Sequence, residues 1–238
     1  MSLTTSRVRT IFQDEIVALG GTVSDVFQDD TRLFARSVLP QFRDVGTDDR
    51  LQCGVAIRAD AEEIRIHPYV FRLICRNGAI MAHALEAKTL LNATLATTPG
   101  ESAVREAIRA CGSADAFARS TDEIRSARDV RDDVLLSLMP LLTRIDPSGG
   151  TTLLEQTLER FFGDRDRSRF GLMNALTSLA RDTEDPDVRW RLEETGGGVP
   201  VMAPTRPVRR AADAHSLADL HSASQGAETL AIAVGGAR

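Results

Sequence analysis

The feature that most constrains this fold is an alternation of apolar and polar residues beginning at position 51. Leu51–Arg58 alternates throughout, Ala59–Glu62 reads as a turn, and Ile64 and Ile66 then resume the pattern. Because successive side chains of a strand point to opposite faces, this pattern predicts an antiparallel hairpin with one apolar face. We expect the other face to be wetter and to carry basic residues.

An earlier pair of strands and a helix precede this hairpin. Thr22–Gln28 and Arg32–Leu39 flank Asp29–Thr31, whose residue types favour a tight turn, so a first hairpin is predicted here. Ser6–Leu19 carries apolar residues at helical spacing and ends at a glycine pair, which predicts an N-terminal helix.

From Pro68 onward the pattern is helical. Tyr69–Cys75 and Ile80–Leu91 are predicted to be helical, and Thr121–Ile145 is predicted to form one long helix kinked at Pro140. Further helices are predicted over Glu101–Cys111 and Thr151–Phe162, after a Ser168 cap, and from Asp185-Pro186.

These segments predict an α+β fold. A small antiparallel sheet of two hairpins in the N-terminal third packs against a mostly helical C-terminal part. Residues 1–198 are expected to form a single domain. Residues 199–238, rich in proline, arginine and alanine, are expected to form a flexible tail in which residues 230–234 could add a strand.

Composition limits the classes of function. The net charge of −5 argues against attraction to nucleic acid over the whole surface, although a local basic face remains compatible with it. Lys88 is the only lysine, so arginine supplies the remaining positive charge. Three cysteines without a CxxC pair favour a reducing cytoplasm over a disulfide scaffold or zinc knuckle. Neither a signal peptide nor a membrane-spanning run is evident, so no membrane partner is expected.

Basic residues around the second hairpin are the candidate nucleic-acid contacts. Arg58 and Arg65 are predicted to lie on the polar side of the sheet, and Arg72 and Arg76 to share one helix face. Tyr69 or Phe71 is the candidate for base stacking. The alternative is structural: Cys75, Asn77 and Gly78 would form a turn or helix cap, since Asn-Gly favours positive backbone angles, with an inert cysteine.

Catalytic signatures are missing from the sequence. His67 and His83 lack the spacing and partners of a metal site, and no glycine-rich phosphate loop or nucleophile motif occurs. We therefore expect no metal and no cofactor, and the sequence favours a binding protein over an enzyme. A hydrolase or nuclease remains a third hypothesis.

The corner sequence carries a resemblance. The family resembled is the phage/plasmid-like protein family, named domain of unknown function 932, in which the same order occurs: Ala35-Arg36 on a strand, then Gly54–Ile57, Ile64–Pro68 and Phe71–Gly78. Asn174–Thr177 resembles a later helix of that family, so the likeness spans roughly residues 30–195. Arg58–Ala61 departs from the polar tip common in the family. The resemblance implies carriage on mobile elements, whose genes often handle DNA.

Two functions compete at this point. The first is a non-enzymatic, mobile-element protein that binds or anneals single-stranded DNA, forms a homo-oligomer and resides in the cytoplasm. The alternative is a protein-interaction or assembly module without affinity for nucleic acid, to which a balanced-charge helix and an arginine-containing tail would be suited.

Overall fold

The strands fall in the N-terminal half of the chain and most helices follow them. The computed structural model describes residues 3–47, 49–92, 98–145 and 150–204. The strands are β1 (Thr22–Gln28), β2 (Leu33–Val38), β3 (Phe42–Gly46), β4 (Asp49–Ala59), β5 (Glu63–Arg72), β6 (Asn77–Ile80) and β7 (Lys88–Leu91). The helices are α1 (Thr5–Ala18), α2 (Thr98–Cys111), α3 (Ala114–Ser126), α4 (Leu135–Ile145), α5 (Gly150–Gly163), α6 (Arg169–Arg181) and α7 (Pro186–Gly198). The predicted α+β class is confirmed.

The sheet is antiparallel and is built around the long strands β4 and β5. Its order is β1-β2-β4-β5-β6, with β3 also pairing with β4 and β7 with β5. In the β4–β5 pair Ile57 lies opposite Ile66, which confirms the second predicted hairpin. The first hairpin is also confirmed, and Asp29 Oδ1 accepts hydrogen bonds from the backbone N–H groups of Thr31 (2.9 Å) and Arg32 (2.7 Å) in its turn.

The sheet is larger than the two predicted hairpins. Strands β3, β6 and β7 add to it, and each is only four or five residues long. Segments this short do not display a period-2 alternation that can be recognised against polar neighbours.

Two helix predictions after Pro68 are wrong. Strand β5 continues to Arg72 because β6 pairs with it and satisfies its backbone hydrogen bonds. The helix predicted over Ile80–Leu91 is replaced by a loop and by β7, in which Lys88 lies opposite Ile66. The aromatic and β-branched residues that end β5 suit a strand better than a helix.

The single long helix predicted over Thr121–Ile145 is also wrong, because α3 and α4 are separate. The loop between them bonds to the segment before α6. Asp132 N–H donates to the Arg167 carbonyl and Arg169 N–H donates to the Val130 carbonyl, both at 2.9 Å. These tertiary hydrogen bonds override an apolar spacing that is compatible with a continuous helix.

Two helix starts agree with the capping residues in the sequence. Ser168 accepts a hydrogen bond from a backbone N–H in the first turn of α6. Asp185 Oδ1 accepts from the N–H groups of Asp187 and Val188 at 2.9 Å, and Pro186 occupies the first turn of α7.

Helices cover both faces of the sheet. The first face carries Leu51 and every second residue of β4 up to Ala59, and it packs with α1, α2 and α3 in the main core. The second face carries Phe34 and Tyr69, on which the fully buried Trp190 of α7 packs. The prediction that this face is wetter than the other is therefore wrong at its centre, where α7 covers the sheet.

The folded part extends a little beyond position 198. Val199 is fully buried in a 3₁₀ turn, Val199–Val201, and Met202 packs against the main core. Residues 205–238, which include the predicted strand at 230–234, lie outside the described residues. Among the described helices, none has the length and apolar character needed to cross a bilayer.

Candidate functional site

The residues predicted to contact nucleic acid do not form one track. Arg58 and Arg65 lie opposite each other on the second face, where Arg58 pairs with Asp187 at 3.1 Å and Arg65 with Glu63 at 2.5 Å. Arg72 belongs to the first face. The remaining two predicted contacts are the buried Tyr69 and the exposed Arg76. Arg72 and Arg76 do not share a helix face, because β5 and a turn hold them.

Arg72 is part of a polar network that we call the corner lock, which fastens the end of β5 to α6. Its members are Asp49, Arg72, Asn77, Asn174 and Thr177. Arg72 donates from Nε and Nη2 to Asp49 at 2.8 and 2.9 Å, and from Nη1 to Asn174 Oδ1 at 2.8 Å. Asn77 Nδ2 donates to Asn174 Oδ1 at 3.0 Å and to Thr177 Oγ1 at 2.9 Å.

The corner lock has no room for a ligand. The hollow beside it measures about 10 Å³, which is the space of one water molecule at most. Arg128 also pairs with Asp49, and the guanidiniums of Arg72 and Arg128 lie 4.8 and 3.9 Å from the ring centre of Phe170. Since all five members have hydrogen-bond partners, we infer a structural role for this network.

The predicted structural corner lies beside this network, with one correction. Asn77 and Gly78 are buried in β6, and the positive φ of 51° falls on Arg76 rather than on the Asn-Gly pair. Cys75 Sγ lies 3.3 Å from Arg72 Nη1. The corner thus contacts the Asn174–Thr177 segment, although the two are about a hundred residues apart in sequence.

A cleft of about 260 Å³ opens beside the corner, between the second face and α7. It is lined by Ser24, Asp25, Arg36, Tyr69, Phe71, Arg76, Asn77, Gly78, Arg181, Arg189 and Glu193. Gly78 is required here, because a side chain at this position would overlap the Tyr69 hydroxyl. Four of the lining residues are arginines, and they come from separate parts of the chain.

Two of these arginines form a closed ring of ion pairs with two carboxylates, which we call the cleft ring. Arg36 contacts Glu193 at 2.6 Å and Asp25 at 3.1 Å, while Arg189 contacts Asp25 at 3.0 Å and Glu193 at 3.4 Å. The Arg36 guanidinium also lies 5.7 Å from the ring centre of Trp190. Burial raises the pKa of Glu193, and the two guanidiniums oppose that shift. The charges of the cleft ring sum to zero.

The cleft also presents polar atoms that have no partner among the described residues. Arg36 is 2% exposed, and its Nη2 makes no hydrogen bond. Tyr69 is 4% exposed, and no described residue bonds to its hydroxyl. Both guanidiniums of the cleft ring approach Asp25 Oδ2, whereas no described residue donates to Oδ1. Arg36 Nη2 is therefore a buried donor without a partner, which is uncommon in proteins, whereas Asp25 Oδ1 belongs to a side chain that is 38% exposed and is open to the cleft.

Arg76 and Phe71 are among the more exposed lining residues and lie at the solvent opening of this cleft, which we call its mouth. Arg76 is exposed, and no carboxylate of the described residues pairs with it, whereas Arg181 at the same mouth pairs with Asp182 at 2.9 Å. Phe71 is half-buried, and its ring centre lies 6.5 Å from that of Tyr69. The mouth therefore offers one unpaired positive charge beside an accessible aromatic ring.

The uncovered end of the second face continues from Phe71. Phe42 and Phe71 flank Gln52 across three paired strands and share its face, and Phe42 is 49% exposed. Beyond them lies an open hollow of about 460 Å³, lined by Asp44, Gly46, Arg50, Leu73 and Ile74. The cleft, the two phenylalanines and this hollow form one continuous stretch of sheet surface.

Among the described residues, His67, His83 and two of the cysteines show no sign of catalytic activation. Burial lowers the pKa of His67 to about 4, and His83 pairs with Glu123 at 2.7 Å. Burial raises the pKa of the Cys53 thiol to about 12 and that of Cys111 further still. No cluster of three metal-ligating side chains occurs in the described parts of the chain.

Sequence reasoning missed the cleft ring. Asp25 and Arg36 lie on neighbouring strands, but Glu193 follows Arg36 by 157 positions. The available signal was Arg36 itself, because it is the one charged residue in the strand Leu33–Val38, which is buried over Leu33–Ser37. An arginine at such a position requires an acidic partner, although the sequence does not reveal which one.

Comparisons with family models, with curated proteins and with solved structures find no match to this chain. The resemblance of the corner sequence to the phage/plasmid-like family therefore stays a prediction.

Proposed function

We propose that this protein binds single-stranded nucleic acid, single-stranded DNA in the first place, at the mouth of the cleft and along the uncovered end of the second face. The observation that carries the proposal is that the same cleft is lined by the accessible Phe71 ring and by Arg76, an exposed guanidinium without a carboxylate partner among the described residues. An unpaired guanidinium suits a phosphate, and an aromatic ring on a sheet surface suits an unstacked base.

The backbone of Arg76 supports a functional role. Its φ of 51° lies in the left-handed region, which costs a non-glycine residue about 1–2 kcal/mol. Glycine would adopt this conformation without that cost. A strained arginine at the mouth of a cleft is the kind of residue that binding sites retain at the expense of stability.

The proposal predicts a modest electrostatic contribution. Arg58, Arg65 and Arg72 are all paired with carboxylates, so few guanidiniums are free to displace counterions. Each phosphate contact to a single strand contributes a slope of about −0.7 in a plot of log affinity against log salt. We therefore expect a slope of about −1 to −2, well below that of proteins with an extended basic groove.

Fluorescence anisotropy with a labelled single-stranded oligonucleotide at low salt tests this proposal. We expect binding at micromolar protein, weakened about fivefold or more by Arg76→Gly or Phe71→Leu. Arg9→Gln, which removes an exposed guanidinium from α1, is the matched control and should change the affinity by less than about twofold. Absence of binding by the unaltered protein at low salt would overturn the proposal.

A second function is favoured by the exposed apolar side chains at the same end of the sheet. Phe42 is 49% exposed and Ile74 is 57% exposed. Such a patch is typical of a surface that contacts another protein. Light scattering that shows a defined homo-oligomer, together with no affinity for oligonucleotides, would favour this assembly function. Carriage on a mobile element rests on the resemblance of the corner sequence.

A further inference from the structure

We infer that the interior of the cleft holds one unpaired nucleobase, read through its hydrogen-bonding edge, while the adjoining phosphate lies outside at Arg76. This inference rests on the proposed function and specifies how the ligand is divided between the cleft and its mouth. It makes the cleft a base-reading subsite of a single strand rather than a phosphate site.

The charge of the cleft interior excludes a phosphate as its natural occupant. Arg36 and Arg189 are each engaged by both Asp25 and Glu193, so the cleft ring has no net charge. A phosphate placed there would approach two carboxylates that already hold the guanidiniums. Repulsion by these carboxylates would oppose its binding, and a neutral ligand avoids this repulsion.

The unpartnered atoms of the cleft match a base edge. The Tyr69 hydroxyl can donate and Asp25 Oδ1 can accept, whereas Arg36 Nη2 is closed to solvent and becomes available only if the side chain shifts. Every nucleobase presents donors and acceptors next to each other on its edges, which a mixed set of this kind can satisfy. Arg36 Nη1 donates to Asp25 Oδ2 at 3.1 Å, which fixes the carboxylate that carries the free Oδ1.

The size and the walls of the cleft agree with a single base. About 260 Å³ is below the range of roughly 300–1,000 Å³ that encloses a drug-sized ligand, so one small planar group suits it better than a longer stretch of chain. The Tyr69 and Phe71 rings lie side by side along one wall, with ring planes 33° apart. Arg76 at the mouth then stands where the sugar-phosphate backbone of that nucleotide would leave the cleft.

Asp25→Asn tests the inference through the sign of its effect. If the cleft reads a base, loss of the charged acceptor weakens oligonucleotide binding by about fivefold or more, because hydrogen bonds to charged groups are the stronger ones. If the cleft holds a phosphate, removal of a negative charge tightens binding. Asp14→Asn removes the same charge from an exposed side chain of α1, which packs on the other face of the sheet, and it should change the affinity by less than about twofold.

Tyr69→Phe provides a second variant whose folding is not at risk. The hydroxyl has no partner within the described protein, so its removal should leave the melting temperature unchanged or higher. We expect oligonucleotide binding to weaken about fivefold. Unchanged affinity in this variant would contradict the inference.

An abasic oligonucleotide of equal length completes the test, because it keeps the phosphates and lacks the bases. We expect the unaltered protein to bind it at least about tenfold more weakly than the intact strand. Tighter binding by Asp25→Asn would overturn the base-reading inference while leaving the proposed function intact, whereas equal binding of the two strands would contradict both base reading in the cleft and stacking on Phe71. Failure to bind either strand would overturn both.

Discussion

The corner lock and the cleft ring are built from the same materials but differ in what they leave unpaired. Both place a buried or half-buried arginine of the sheet against carboxylates, and both involve the end of the sheet near β6. In the corner lock every member has a partner, and the space beside it is about 10 Å³. The cleft ring borders about 260 Å³ and leaves Arg36 Nη2 without a partner.

This difference shows that an arginine with acidic partners does not by itself identify a binding site. In this chain, a candidate binding site is better indicated by polar groups that lack hydrogen-bond partners and lie next to an open cavity. The corner lock has satisfied groups and no space, so it serves the fold. The cleft has a buried unsatisfied donor and space, which supports the binding that we propose there.

The largest effect is expected on the free energy of unfolding, which should fall far more when the corner lock is broken than when an exposed ion pair is broken. Asp49→Asn should lower the free energy of unfolding by about 3 kcal/mol, since it leaves Arg72 and Arg128 without their buried carboxylate. Asp44→Asn, which breaks a pair with Arg50 that is more than half exposed, should cost less than about 1 kcal/mol. Urea denaturation measures both, and equal losses would show that the corner lock is an ordinary surface network.

The next effect concerns pH and the second face. Burial holds the pKa of His67 at about 4, below its ordinary value of about 6.5. The unfolded chain therefore takes up this proton first as the pH falls, and about 3 kcal/mol of stability is lost between about pH 6.5 and 4. That stability is fully present above the unfolded pKa.

Denaturation of the unaltered protein and of His67→Gln at both ends of this pH range isolates the histidine. Burial raises the pKa of the neighbouring Glu194, which acts in the opposite sense, so the difference between the two proteins is the quantity to measure. The variant should lose much less stability on acidification. The same pH dependence in both proteins would contradict the buried, neutral state of His67.

A smaller effect is expected within the corner lock at α6. Asn174→Ala should cost about 1–3 kcal/mol, because it removes the acceptor shared by Arg72 and Asn77. Ser178→Ala is a control on the same helix, where it removes one hydrogen bond with Arg160. We expect the control to cost about 1 kcal/mol at most, and a larger loss there would contradict the central role of Asn174.

The smallest effect has the opposite sign and belongs to the mouth of the cleft. Arg76→Gly should raise the free energy of unfolding by about 0.5–1 kcal/mol, since relief of the left-handed strain exceeds the added chain entropy of glycine. A residue that serves the fold would instead destabilise it when removed. Thermal denaturation measures this change, and a lower melting temperature would place Arg76 with the structural residues.

The sequence predicts local structure in this protein better than it predicts the site. The alternation in Leu51–Arg58, the turn at Asp29–Thr31 and the caps Ser168 and Asp185 reflect physics within a few residues, and all agree with the structure. Strand β6 and the break between α3 and α4 depend on distant pairing, which local patterns do not contain.

The candidate site depends on contacts between residues that are even further apart in the sequence. Arg58, Arg65 and Arg72 look free in the sequence, but their carboxylates are supplied by α7, by β5 itself and by β4. The cleft ring joins β1 and β2 to α7, so its members have no motif. The corner sequence does lie at the cleft, since Arg76 and Gly78 line it.

Chemical-shift mapping compares the two regions in a single titration. A short single-stranded oligonucleotide is added to the isotope-labelled, unaltered protein, and the backbone and arginine side-chain signals are followed. We predict shifts at the cleft, led by Asp25, Phe71 and Arg76, and none at the corner-lock residues Asp49 and Asn174. Shifts confined to the corner lock, or no shifts at all, would contradict the assignment of binding to the cleft.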